Sequence, residues 1–156
     1  MRLLNWLFNS LFDTESGTRI KHAVLGEAVY MKAKSGSYWE VETEVQGKPF
    51  SLSIDAENSE EPTQAQVAFF ERYAADPDLA FSKAAPLLVP EFERWTKHPF
   101  SGYWRTELSF VGMSVPLNAN EQSEYELAFE APRAAGTPHF ACKVEHGAVT
   151  YVEVST

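Results

Sequence analysis

Cysteine is nearly absent: Cys142 is the single one in 156 residues. A lone thiol excludes an internal disulfide, and with it the cross-linked scaffolds of small secreted domains, so a reducing cytoplasm is the expected compartment. Positive charge is also scarce, with 13 Lys and Arg against 22 Asp and Glu and a net charge of −9. Nucleic-acid binding depends on Lys and Arg displacing counterions from phosphates, which makes nucleic acid and anionic membrane poor partners for this chain. The same field draws in a basic protein or peptide. Long apolar runs are missing too: none approaches the roughly eighteen residues of a membrane-spanning helix. Finally, no Gly-rich phosphate loop, Gly-x-Ser-x-Gly elbow, His-Glu-x-x-His helix or Cys-x-x-Cys pair occurs. No cofactor and no metal is therefore expected, and the balance leans away from an enzyme.

What is present suffices for one domain. A hydrophobic content of 44% in this length supports a core without metal or disulfides. The expected division is a short amphipathic helix and linker over residues 1–17, then a single domain over 18–156. In the first part Leu3, Leu4, Leu7, Phe8, Leu11 and Phe12 fall in two adjacent helical columns, while Asn5 and Asn9 interrupt the apolar region a signal peptide would need. With Trp6 as an interfacial ring, peripheral membrane attachment through residues 2–12 is an alternative. Yet only Arg2 and the amino terminus offer charge to anionic lipid, so docking on the protein's own body or on a partner is preferred.

The chain is organised around residues 63–98. Thr63 with Gln66 three positions on predicts a capping box, and Val67, Phe70, Tyr73 and Ala74 recur at helical spacing behind it. Asp76-Pro77 predicts a second helix start, and Phe81, Ala84, Leu88, Phe92 and Trp95 continue the apolar stripe. Pro86 and Pro90 each lack an N–H and predict a kink or break near residues 86–90, with a last helical piece before Pro99.

On both sides the period becomes two. Ile20, His22 and Val24 are expected to face Val29 and Met31 across a Leu25-Gly26 turn. With Gln46-Gly47 as a two-residue turn, Thr43 is set opposite Phe50, Val41 opposite Leu52 and Trp39 opposite Ile54, leaving Tyr38, Glu40, Glu42 and Glu44 to point toward water. Late in the chain Trp104, Thr106, Leu108 and Phe110 alternate with polar residues, with a bend or bulge after Gly112 through Met113 and Val115. Tyr125, Leu127 and Phe129 alternate with Glu124, Glu126 and Glu130, and Glu145-His146-Gly147 predicts a three-residue hairpin loop.

Reacting groups are few. His22 and His139 are weak candidates for a general base beside a carboxylate, as in a small hydrolase. His139, Cys142 and His146 lie close in sequence, but period two sends Cys142 to the apolar face with Phe140 and Val144, His139 and Lys143 to the other, and His146 into the turn. They should diverge, which argues against a metal site or a Cys-His pair. Asp55, Glu57, Glu60 and Glu61 form an acidic connector that lacks the alternate-position ligands of a calcium loop, and they are the candidate contacts for a basic protein partner.

The segments His22-Ala-Val-Leu-Gly-Glu-Ala-Val-Tyr30, Tyr38-Trp39-Glu40, Gly47-Lys48-Pro49-Phe50 and Phe110-Val111-Gly112-Met113-Ser114-Val115 together resemble small bacterial proteins catalogued as a domain of unknown function. The likeness covers most of residues 20–154. It departs at His139, which follows Pro138 here where such proteins carry Gly-His. The resemblance implies a bacterial, intracellular α+β protein and transfers no activity; by analogy, some small acidic proteins of this kind bind partners or neutralise toxins, an immunity-like role. The expected fold is α+β: an antiparallel meander over 20–55, central helices, and an antiparallel meander over 104–154, joined as one curved sheet with helices packed on one face, or held as two separate sheets. The expected function is non-enzymatic binding of a protein partner through an acidic surface.

Overall fold

The structure, a computed structural model, describes residues 15–34 and 36–156. The order of elements is β1 (Glu15–His22), β2 (Gly26–Ala33), β3 (Gly36–Val45), β4 (Lys48–Ala56), α1 (Gln64–Ala75), α2 (Pro77–Thr96), α3 (Trp104–Glu107), β5 (Ser109–Val115), β6 (Tyr125–Glu130), β7 (His139–Glu145) and β8 (Ala148–Ser155). The fold is α+β, and all eight strands belong to one sheet in chain order. Neighbouring strands run antiparallel except β4 and β5, which pair parallel, a pairing that needs a crossover connection and has one in the helices between them.

The β3–β4 hairpin has the register its turn dictates: Thr43 pairs with Phe50, Val41 with Leu52 and Trp39 with Ile54. Gln46 and Gly47 both take positive φ, 52° and 77°, the conformation a tight hairpin turn demands and one that Gly adopts freely. The α1 start is also as its residues specify. Thr63 Oγ1 accepts from the Gln66 N–H while Gln66 Oε1 accepts from the Thr63 N–H, both at 3.1 Å. Asp76 caps α2 through the Leu79 N–H, with Pro77 in its first turn.

Several elements depart from expectation. α2 runs unbroken from Pro77 to Thr96 through both prolines. Pro86 and Pro90 are exposed and four residues apart on the solvent side. The carbonyls they leave without an N–H partner belong to Ser82, also exposed, and to Pro86 itself, on the side open to solvent, while Ala84, Leu88 and Phe92 stay buried on the inner side. Trp95 does not continue the stripe: it is 44% exposed, with the Arg94 guanidinium 5.5 Å from its ring centre. Residues 104–107 form a helical turn rather than strand, because the Trp104 indole N–H reaches Asp78 on α2 at 2.8 Å and fixes the chain there.

The first hairpin is shifted: Ile20 pairs with Ala28 and Arg19 with Val29 around a turn at residues 23–25, so Val24 is exposed and Val29 and Met31 take the other face. β1 begins at Glu15, inside the stretch expected as linker. The last hairpin turns on two residues, His146 and Gly147, with Glu145 paired to Ala148. Tyr38, expected to face water, is 7% exposed, and burial with the Glu40 charge pushes its pKa up to about 12.

Side chains of alternate parity meet the helices. Phe50 lies against Phe70, Tyr125 against Phe69 and Tyr73, Phe129 against Phe81 and Trp104, and Phe140 against Phe92. Ring centres in these contacts are 5.1–6.5 Å apart, the range in which aromatic pairs attract. Trp39, Leu52, Ile54, Met113, Leu127 and Cys142 complete this core. We call it the ring face of the sheet.

Candidate functional site

The far face is the one whose residues alternate with the core. The pairing registers place Glu42 beside Ser51, Ser51 beside Gly112, Gly112 beside Ala128, Ala128 beside Ala141 and Ala141 beside Glu153. In the middle of that row the side chains shrink to a hydroxymethyl, a hydrogen and two methyls. The next row holds Ser109 beside Glu130 and Glu130 beside His139, with longer chains. A dip in side-chain length across four strands leaves a hollow, and a cleft of about 360 Å³ is found there, lined by Glu42, Lys48, Ser51, Val111, Ala128, Glu130, His139 and Ala141 among others. A β-bulge between Phe110 and Gly112 lets Phe110 and Met113 both enter the core while Val111 turns into the cleft.

The walls are charged. The Glu42 carboxylate accepts the Ser51 hydroxyl at 3.1 and 3.2 Å. Partial burial raises its pKa, the Ser51 hydrogen bond acts in the opposite sense, and the Glu40 charge adds to the rise. Among the described residues no cation lies within ion-pair distance of Glu42. On the opposite wall His139 Nε2 stands 3.6 Å from Glu130 Oε2. The rest of the far face is largely acidic: Glu40 and Glu44 follow the parity of Glu42 on β3, Glu126 that of Glu130 on β6, and Glu153 lies on β8. Lys143 is engaged there by Glu124 at 3.3 Å and Glu145 at 2.9 Å.

A second hollow, about 160 Å³, is lined by Asp55, Ser114, Glu124, Tyr125 and Glu126. Glu126, which alternates with the core residues Tyr125 and Leu127, is nonetheless 3% exposed, its N–H donating to Ser114 Oγ at 2.8 Å.

The residues singled out from sequence are dispersed. His22 Nδ1 accepts from the N–H groups of Val24 and Leu25 at 3.1 and 3.2 Å, so this imidazole ties the β1–β2 turn, with five strands between it and β7. His139 alone of the two reaches the cleft. Glu130 stands between Ser109 and His139 in the pairing order, so the carboxylate, not the imidazole, neighbours the hydroxyl; a hydrolytic triad needs the reverse. Cys142 is fully buried on the ring face, and burial with the Glu126 charge pushes its thiol far up, out of the reactive range. His139, Cys142 and His146 do not converge.

Of the acidic connector, Asp55 lines the smaller hollow, whereas Glu57, Glu60 and Glu61 are exposed beyond the strand end and outside the large cleft. The Glu60 backbone carbonyl is used internally, accepting the Trp39 indole N–H at 2.8 Å. Residues 2–12 lie outside the described residues. No helix of the described chain is long and apolar enough to cross a membrane.

The small-residue row, Glu42 and Glu130 were not marked by sequence. Their one local signal is a pair of outward strand positions filled by Ala128 and Ala141, and only the parallel β4–β5 pairing brings Ser51 and Gly112 beside them. No family model, curated protein or solved structure matches the chain.

Proposed function

We propose that the protein is a binding protein and that it holds a positively charged protein partner on the far face of its sheet. The cleft carries this reading: its floor is apolar, its walls bear the carboxylates of Glu42 and Glu130, and no second reacting group is set against His139 in the order that hydrolysis requires. Charge complementarity of this kind speeds encounter and selects the partner. The finer architecture belongs to the same reading, a curved sheet with the central helices packed on one face and the cleft on the other. So do a cytoplasmic location, supported by the single buried thiol, and kinship with the small bacterial family resembled above, some of whose analogues neutralise toxins.

The test is site-directed photo-crosslinking in host lysate, with the reactive group at Ser51 on the far face or at Ser82 on the exposed side of α2. A basic protein captured from Ser51 and not from Ser82, whose binding to the purified chain weakens as salt rises, supports the reading. Equal capture from both positions, or none from Ser51, overturns it.

One observation favours a second reading, a small hydrolase: His139 lies in a cleft beside a carboxylate, 3.6 Å away. If it is a general base, His139→Ala abolishes any turnover found with ester, amide or phosphoester substrates, and Ser109→Ala leaves a water-based reaction intact.

A further inference from the structure

The cleft is built for more than negative charge. Its lining includes the carboxylates of Glu42 and Glu130, while Lys48, also on the lining, shares the strand parity of Phe50 and Leu52. Its floor offers the methyl groups of Ala128 and Ala141 and the side chain of Val111. Its volume, about 360 Å³, is at the lower end of the roughly 300–1,000 Å³ of small-ligand pockets, room for one or two side chains rather than a folded element. Glu42 accepts only a neutral hydroxyl among the described residues, from Ser51, and retains lone pairs for two further donors.

Resting on the binding role given above, we propose that this cleft is an arginine pocket: it receives the side chain of an arginine on an extended, basic segment of the partner, with the guanidinium on Glu42 and its apolar face against Val111, Ala128 and Ala141. Arginine suits the site better than lysine for two reasons. A guanidinium is planar and weakly hydrated, so it can lie on apolar surface while its edge donates two parallel hydrogen bonds to a carboxylate. An ammonium is a compact, strongly hydrated point charge and would have to shed water over the methyl floor.

The probe is acetyl-Gly-Ser-Arg-Ser-Gly-amide, added to the ¹⁵N-labelled full chain, with citrulline and lysine versions alongside. Citrulline keeps the shape and removes the charge. The expected result is a set of amide shifts confined to residues 42, 50–51, 109–112, 128–130 and 139–141, with affinity falling about tenfold for citrulline and less for lysine. Glu42→Gln, on an exposed side chain, and Ala128→Leu, which fills the floor, each weaken the arginine peptide about tenfold while their remaining spectra and melting temperatures show the fold intact. A triple variant, Glu57→Gln, Glu60→Gln and Glu61→Gln on the connector, leaves binding unchanged.

If arginine and lysine peptides bind alike on the far face, and neither Glu42→Gln nor Ala128→Leu alters this, the arginine pocket is overturned while the partner-binding face stands. Absence of far-face shifts with every cationic peptide removes both. Far-face shifts that follow protein concentration without peptide, with a dimer in sedimentation that Ala128→Leu dissociates, assign the cleft to a second copy and also overturn the proposal.

Discussion

Trp39 has no exposed surface, and its indole N–H donates to the Glu60 carbonyl at 2.8 Å. One side chain therefore fills the core under β3 and also pins the acidic connector that leads into α1. Trp39→Phe keeps most of the apolar volume but removes the donor and leaves a buried carbonyl without its partner, together with a small void. Stability is expected to fall by about 1–3 kcal/mol, measured as a lower urea midpoint at unchanged slope. A fall within experimental error would mean that water replaces the indole at Glu60. Trp39 was legible as core from the alternation of its strand; its anchor was not, because a hydrogen bond to a backbone carbonyl twenty-one positions away leaves no mark on residue type. The same holds for His22, whose polar chain at an apolar parity position invites a catalytic reading and instead holds a turn.

Among the elements, α2 and the loop before β6 carry the sharpest expectations. Pro90 lies on the exposed side of α2 and denies the Pro86 carbonyl its helical partner. Pro90→Ala restores that bond and is expected to stabilise the protein. An interior proline costs about 3 kcal/mol, and part of the gain is offset by the roughly 0.4–1 kcal/mol the ring contributes by restricting the unfolded chain. Thermal melts of the two chains check the sign.

Glu121 joins three elements. It accepts the hydroxyls of Tyr73 at 2.8 Å and Tyr125 at 2.6 Å, and pairs with Lys83 at 3.0 Å and Arg72 at 2.8 Å. Burial alone would raise its pKa, but the hydrogen bonds from Tyr125, Tyr73 and Lys83 and the Lys83 charge outweigh it and hold the carboxyl below its ordinary 4.5. A group whose folded pKa is depressed stabilises the protein above its unfolded value and ceases to as pH falls through the folded one. Glu121→Gln should therefore be less stable than the native chain above pH 4.5, with the gap closing on acidification below it. Denaturation midpoints in an acid series give the comparison; a gap independent of pH would mean that the carboxylate charge contributes nothing.

The caps of both long helices and the β3–β4 register were readable because Thr63, Gln66, Asp76, Gln46 and Gly47 act on atoms a few residues away. The passage of α2 through its prolines, the helical turn at Trp104 and the shifted first hairpin depend on what lies across the core, which local spacing does not encode.

For the whole molecule, strand order follows chain order, and the β4–β5 pairing is the one long-range seam in the sheet. Most strands of each half could be drawn from their own alternation; the seam could not, and the cleft straddles it, which is why the site was less legible than the strands that build it. Native-state hydrogen exchange should follow this plan. Amides of β4, β5 and β6, interior in the sheet and backed by the aromatic core, are expected to exchange slowest, through global unfolding, and those of the marginal strand β1 fastest. Uniform protection across the eight strands would contradict it.

That plan also sets how the molecule bears load. Glu15 opens one marginal strand and Ser155 closes the other, so tension applied through both ends draws each margin away from its neighbour crosswise to the strands. The ladder bonds then part a few at a time, as in a zipper, instead of failing together in shear. The chain should yield to small forces from both margins inward, with the parallel seam holding longest.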